Sequence, residues 1–134
     1  MWLSDEILAL FESVEELSIE RCMGAALTSA ALTHLPTAHL VRDLRIGNCA
    51  FFDEHTLAAV AHGKLLRLAL YELSHLTDAT FRGNFSALQQ LELADFEWSA
   101  YETLTLAPFE RMQNLQHVSI HMHDCGYFDL STLE

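Results

Sequence analysis

Apolar residues recur in a fixed pattern along this chain. Each occurrence has an apolar residue, two others, a second apolar residue, one other, a third apolar residue, two others and a closing residue. The second and third apolar residues are two apart, so on a strand they point to the same side. The pattern therefore predicts five strands, each with one buried face and all at nearly even spacing. The predicted strand segments are 14–22, 41–49, 65–73, 88–96 and 115–123.

The segments between these strands carry helix-start and helix-stop residues. Small polar residues precede short apolar runs and are expected to cap them, while proline and glycine are expected to end them. The predicted segments are 5–13 capped by Ser4, 28–35 opened by Thr28 and stopped by Pro36, 54–62 capped by Asp53 and ended at Gly63, a turn near Phe81 opened by Thr77 or Asp78 and broken around Gly83, and 99–114 divided into two pieces at Pro108.

The repeating unit resembles the leucine-rich repeat, in which each unit supplies one strand and one helix or 3₁₀ segment. The resemblance covers nearly the whole chain and implies an α/β fold of the solenoid type. It implies a right-handed β-α superhelix of about five parallel strands with short helices on the convex side. One repeat cannot bury its apolar face alone, so stacked repeats are expected to share one core over a single domain, residues 1–134.

Two features resemble the cysteine-containing repeats that are typical of F-box proteins. Cys22 and Cys49 hold the closing position, where that subtype prefers cysteine, whereas later repeats close with Leu73, Phe96 and His123. Residues 3–5, 52–54 and 76–78 resemble the apolar-Thr-Asp element that starts each convex helix. The resemblance implies substrate recognition in an F-box-type ubiquitin ligase. Because we find no F-box module ahead of the repeats, it implies that role for a longer parent or relative.

The two ends of the repeat array are expected to be open. The sequence begins inside a repeat, because residues 3–13 look like the helix of a unit whose strand is missing, so a full N-terminal cap is predicted to be lacking. Strands 14–22 and 115–123 are expected to be edges, with the tail 125–134 covering part of the second. Open edges invite pairing with other chains. We therefore expect either a truncated product or end-to-end self-association.

Strand residues that alternate with the core positions are expected to face the concave surface. Parallel neighbours in register lie about 4.8 Å apart, so these residues should form continuous ladders. The first ladder is Glu16, Asp43, Arg67, Gln90 and His117; the second is Ser18, Arg45, Ala69, Glu92 and Ser119; the third is Glu20, Gly47, Tyr71, Ala94 and His121.

These ladders supply the candidate partner-binding residues. Arg45, Arg67 and Tyr71 are the best anchors, since arginine and tyrosine are enriched at interface hot spots. The competing interpretation is that each is a solvated strand residue with local salt bridges. The full candidate set is Glu16, Asp43, Arg45, Arg67, Tyr71, Gln90, Glu92, His117 and His121.

Charge narrows the class of partner. The 134 residues include 19 acidic and 7 basic ones, for a formal net charge of -12. Phosphate backbones and anionic membranes attract clustered lysine and arginine, so neither nucleic acid nor membrane is the expected partner. The N-terminus has no basic region of a signal peptide, and no apolar run reaches the roughly 18 residues of a membrane span. We expect an intracellular protein, cytoplasmic or nuclear, that binds another protein.

The cysteines and histidines are the remaining candidates for chemistry. Three dispersed cysteines suggest no disulfide framework, and Cys22 and Cys49 are best interpreted as buried packing residues. His121, His123 and Cys125 project to one side of an extended strand and are candidate zinc ligands, with His117 or Asp124 as a further one. The alternative is a purely structural edge strand that ends near His123.

No other catalytic or cofactor motif stands out. The sequence holds no glycine-rich phosphate loop, and no Ser-His-Asp or paired-carboxylate arrangement is evident. We therefore predict a non-enzymatic protein-binding module without a cofactor. The alternatives are a structural solenoid that assembles through its open ends, and a metal site at the C-terminal edge strand.

Overall fold

The computed structural model describes residues 4–21, 27–73, 76–96, 105, 107–122 and 126–130. Its strands form one six-stranded sheet whose spatial order follows the order of the chain. The strands are β1 (Glu16–Glu20), β2 (Asp43–Gly47), β3 (Arg67–Tyr71), β4 (Gln90–Phe96), β5 (His117–Met122) and β6 (Gly126–Leu130). Strands β1 to β5 are parallel to their neighbours, and β6 is antiparallel to β5. The α/β class and the five parallel strands are confirmed.

Short helices connect the strands. The α-helices are α1 (Asp5–Leu8) and α2 (Ala107–Glu110), and the 3₁₀ helices are Ala31–His34, Ala38–Leu40, Thr56–Val60 and Asp78–Phe81. These elements are shorter than the predicted segments. Single turns suffice here because packing against the core stabilises these helices, and side-chain caps at Ser4 and Thr77 add to it in two of them.

Several predicted helix boundaries are wrong. The segment predicted to open at Thr28 becomes helical only at Ala31. The carboxylate of Asp53 accepts a hydrogen bond from the backbone N–H of His55 at 2.7 Å, which makes a turn, and the 3₁₀ helix begins only at Thr56. Pro108 does not divide two helices in the described part of its segment. It lies in the first turn of α2, where a missing N–H leaves no helical hydrogen bond unmade.

The strands turn their alternate apolar residues toward a shared core. Leu44 and Ile46 of β2 and Leu68 and Leu70 of β3 are buried almost completely. In β1, Ile19 is buried but Leu17 is only partly so, because β1 lies at the end of the sheet. The predicted inward faces are therefore confirmed, with the weakest burial at the N-terminal end.

The chain leaves each of the first three strands through the same backbone turn. Arg21, Asn48 and Glu72 directly follow β1, β2 and β3, and all three have positive φ, between 47° and 57°. A residue with left-handed backbone angles changes the chain direction, so the side chain that follows it points inward. At these positions Cys49 and Leu73 are buried. The Cys49 thiol donates to the carbonyl of Gly47 at 3.1 Å. Its predicted packing role is confirmed, whereas Cys22 lies outside the described residues.

A recurring cap starts each connection. Five side chains accept a hydrogen bond from a backbone N–H two or three residues ahead, as capping residues do. They are Ser4, Thr28, Asp53, Thr77 and Thr105, one ahead of each of the strands β1 to β5.

Two aspartates also tie neighbouring connections together. The Asp78 carboxylate accepts from the backbone N–H of Thr105 at 2.7 Å and from its hydroxyl at 2.8 Å. Asp5 holds Thr28 through the same pair of hydrogen bonds, at 3.1 and 2.6 Å. The structural repeat thus extends beyond the strands to the polar side chains of the helical layer.

The two ends of the sheet differ. Within the described ranges β1 is an edge, as predicted, because it pairs there with β2 alone. The expectation that β5 is an open edge is wrong, because β6 pairs with it from Val118 to Met122. The expected covering of this end by the tail is confirmed for Gly126–Leu130. The sequence of β6 does not carry the repeat, which is why the pattern did not predict a strand there.

A candidate protein-binding surface on the sheet

The side of the sheet opposite the core carries the three predicted ladders, and we call it the polar face. The register of strands β1 to β5 places Glu16 beside Asp43, Asp43 beside Arg67, and so on through His117. The second and third ladders are paired in the same way. Every predicted ladder is therefore present in full, including the backbone position of His121, whose side chain lies outside the description.

Most candidate side chains of the polar face are accessible to solvent. Asp43 and Tyr71 are half-buried. The exposed candidates are Glu16, Arg45, Arg67, Gln90, Glu92 and His117. These residues are brought together on one surface, as the sequence predicted.

Arg67 and Asp43 form an ion pair between the first-ladder positions of β3 and β2. A guanidinium nitrogen of Arg67 lies 3.6 Å from a carboxylate oxygen of Asp43. Their side chains are 53% and 35% exposed, so water screens the pair and its contribution to stability is small. Its main consequence is that part of the charge of Arg67 is neutralised within the protein.

Arg45 and Tyr71 form a second contact, diagonally across β2 and β3. The guanidinium carbon of Arg45 lies 5.4 Å from the centre of the Tyr71 ring, within the range of a cation–π interaction. Gly47 makes this arrangement possible. A Cβ atom at Gly47 would lie 2.8 Å from Cδ2 of Tyr71, so the ring occupies space that any other residue would fill.

Burial raises the pKa of the Tyr71 hydroxyl above its ordinary value, and the nearby carboxylates of Glu92 and Glu20 act in the same direction. The positive charge of Arg45 opposes this effect only in part. The phenol therefore stays neutral at physiological pH and presents an O–H group that can donate a hydrogen bond.

A shallow depression of about 300 Å³ lies in the centre of the polar face. Ala69 sits between Arg45 and Glu92 in the second ladder, and its short side chain leaves the space open. Sequence reasoning placed Ala69 and Ser119 in the ladder without proposing them as site residues. The signal was available, because a small residue among large polar neighbours predicts a hollow. The polar side chains that line the depression are Asp43, Arg45, Arg67, Gln90, Glu92, His117 and Ser119.

The predicted metal ligands cannot be assembled from the described residues. His123, Asp124 and Cys125 lie outside the description, as does the side chain of His121, and His117 is an exposed residue of the polar face. Among the residues that are described, no group of three or more His, Cys, Asp or Glu side chains could hold a metal ion. The zinc site at the C-terminal edge stays a prediction.

Comparisons with known proteins found no match: no family model, no curated protein and no solved structure is similar to this chain. In the part of the chain that the structure describes, no helix has both the length and the apolar character needed to cross a membrane. Among the described residues, the polar face is therefore the feature from which a function can be inferred.

Proposed function

We propose that the chain is a leucine-rich repeat solenoid that binds another protein through its polar face and catalyses no reaction. The observation that carries this proposal is the contrast between regular backbone and irregular side chains. Five parallel strands keep one register across the three ladders, yet at every outward position neighbouring strands bear different residues. A rigid sheet with varied polar and aromatic side chains is a common form of protein-recognition surface in repeat proteins.

The solenoid assignment is supported by three features that recur together. Each strand lies beside the next one in sequence, the same left-handed turn follows the first three strands, and a cap precedes each parallel strand. The proposed handedness follows from the strong preference for right-handed crossovers between parallel strands.

A protein is the proposed partner because the polar face carries both signs of charge in a chain of net charge -12. Polyanions such as nucleic acids would be repelled by the chain as a whole. The dispersed cysteines fit an intracellular setting, cytoplasmic or nuclear. By resemblance, the partner would be the substrate of an F-box-type ubiquitin ligase, which affinity capture of the full-length protein with its ligase scaffold would test.

The first test is site-specific photocrosslinking. A benzophenone amino acid is placed at exposed Gln90 on the polar face, and in a matched control at exposed Ala58 in the helical layer. We expect one protein to be crosslinked from position 90 and not from position 58. Equal crosslinking from both positions would contradict recognition by the polar face.

The affinity of that protein is then measured for two variants of equal charge change. Arg45→Glu with Arg67→Glu is expected to weaken binding by about tenfold or more, because both residues lie on the proposed interface. Arg82→Glu with Arg111→Glu alters exposed residues in the connections and should change affinity little. An unchanged affinity in the first variant would reject this site.

Self-association through the N-terminal end is the second candidate function. Leu10 is 75% exposed and Phe11 37% exposed near the edge strand β1, and Leu17 is only partly covered. Light scattering over a concentration series tests this candidate. A molar mass that rises with concentration, and rises less in the Leu10→Lys variant, would support self-association. A monomer at every concentration would exclude it.

A further inference from the structure

We propose that Arg45, held against the ring of Tyr71, binds a carboxylate side chain of the protein partner, an aspartate or a glutamate, at the depression beside Ala69. This inference rests on the proposed function and makes it specific, since it names the chemical group that the centre of the polar face recognises.

The first step is the platform beneath Arg45. Because Gly47 has no side chain, the Tyr71 ring can lie over it on the sheet, and the guanidinium of Arg45 sits 5.4 Å from the ring centre. A guanidinium held on an aromatic ring loses less conformational freedom on binding than one that extends into water. The long side chain of Arg45 is therefore partly ordered before a partner arrives.

The second step is the binding capacity that Arg45 retains. Arg67 is engaged with Asp43, whereas Arg45 forms no ion pair among the described residues. Contact with an aromatic ring uses no N–H group of the guanidinium. Its planar array of donors matches the two oxygens of a carboxylate in a charge-assisted, bidentate hydrogen-bonded pair.

The third step is access. Ala69 is the neighbour of Arg45 in the second ladder, and the depression of about 300 Å³ opens over its short side chain. A partner side chain can therefore reach the guanidinium from the side of β3. Glu92 lies two strands from Arg45, about 9.6 Å at the backbone. The carboxylate therefore binds on the Arg45 side of Ala69, where attraction by the adjacent guanidinium exceeds repulsion by the more distant Glu92.

The charges around the depression select a monoanion. Asp43 and Glu92 line it together with the two arginines, so their formal charges cancel. Because Arg67 and Asp43 are paired, Arg45 supplies the available guanidinium, which balances the charge of a carboxylate but only half that of a phosphate dianion. A carboxylate side chain is therefore favoured over a phosphorylated one.

The test uses small probes that contain only the group in question. N-acetylglutamate N-methylamide and the corresponding glutamine compound have the same shape and differ in charge. Each is titrated into the protein while the Ala69 methyl signal and the arginine side-chain signals are followed by NMR. We expect the acid to bind about tenfold more tightly than the amide, with shifts centred on Ala69 and Arg45.

Variants separate the role of Arg45 from a general charge effect. Arg45→Gln should abolish the preference for the acid, Arg45→Lys should keep part of it, and Arg82→Gln, which removes the same charge elsewhere, should leave it unchanged. Gly47→Ala should weaken binding of the acid severalfold, because the added methyl group displaces the Tyr71 ring. Equal binding of acid and amide, or a preference that survives Arg45→Gln, would overturn the inference. Crosslinking from Gln90 would still succeed in that case if the broader proposal holds.

Discussion

The two faces of the sheet share one backbone and one register but follow different rules. At one inward position the strands repeat nearly the same aliphatic side chain: Leu17, Leu44, Leu68, Leu91 and Val118. At the adjacent outward position no side chain is repeated: Glu16, Asp43, Arg67, Gln90 and His117. The repeated inward residues specify the fold, whereas the outward positions can vary from strand to strand and are therefore available for recognition.

The difference between the two faces is tested most strongly by truncating one residue on each face, in neighbouring strands. Leu70→Ala removes a completely buried side chain and should lower the free energy of unfolding by about 2–5 kcal/mol. Arg45→Ala on the polar face should change it by less than about 0.5 kcal/mol. Urea unfolding measures both. Equal losses of unfolding free energy would mean that side chains of the polar face also stabilise the fold.

The connection between helical segments gives the next largest effect. Asp78→Ala removes both hydrogen bonds to Thr105 and should cost about 1–2 kcal/mol of unfolding free energy. The matched control is Glu54→Ala. Glu54 follows Asp53 as Asp78 follows Thr77, but in the described part of the chain its ion pair is with the exposed His55. The two variants are compared by thermal unfolding. A control that destabilises as much as Asp78→Ala would argue against the tie.

The packing of the Tyr71 ring over Gly47 predicts a smaller change in unfolding free energy. Gly47→Ala places a methyl group where the Tyr71 ring lies and should cost about 1 kcal/mol through displacement of that ring. In a Tyr71→Ala background the same substitution should cost almost nothing. A double-mutant cycle followed by urea unfolding gives the coupling, and a cost that persists without the ring would contradict this packing.

The smallest predicted effect concerns pH. His62 donates from Nε2 to the carbonyl of Ala38 and accepts at Nδ1 from the backbone N–H of Lys64, so its ring is neutral in the fold. Burial lowers its pKa and the charge of Lys64 lowers it further, while the hydrogen bond to the Ala38 carbonyl opposes the shift only in part. The unfolded chain therefore binds the proton more readily, and stability should fall as pH drops below about 6.5. His62→Gln should flatten this part of the stability profile, and a slope identical to that of the unsubstituted protein would exclude the assignment.

The sequence predicts the five parallel strands and their register because the same apolar pattern, with its period of two, returns five times at nearly even spacing. It predicts the cap at Ser4 because a small polar residue there precedes a short apolar run. It does not predict β6, whose residues lack the repeat, or the single-turn lengths of the helices, which depend on packing. The contact of Arg45 with Tyr71 was also missed, because it arises from the missing side chain of Gly47 and from a diagonal approach between strands.

Detection of individual hydrogen bonds by NMR tests the central claim, the parallel in-register sheet, most directly. A long-range HNCO experiment correlates an amide nitrogen with the carbonyl carbon that accepts its hydrogen bond. We predict correlations from Arg21 to Gly47, from Asn48 to Tyr71 and from Glu72 to Ala94. Correlations that instead join these segments as antiparallel hairpins, or within single helices, would contradict the account.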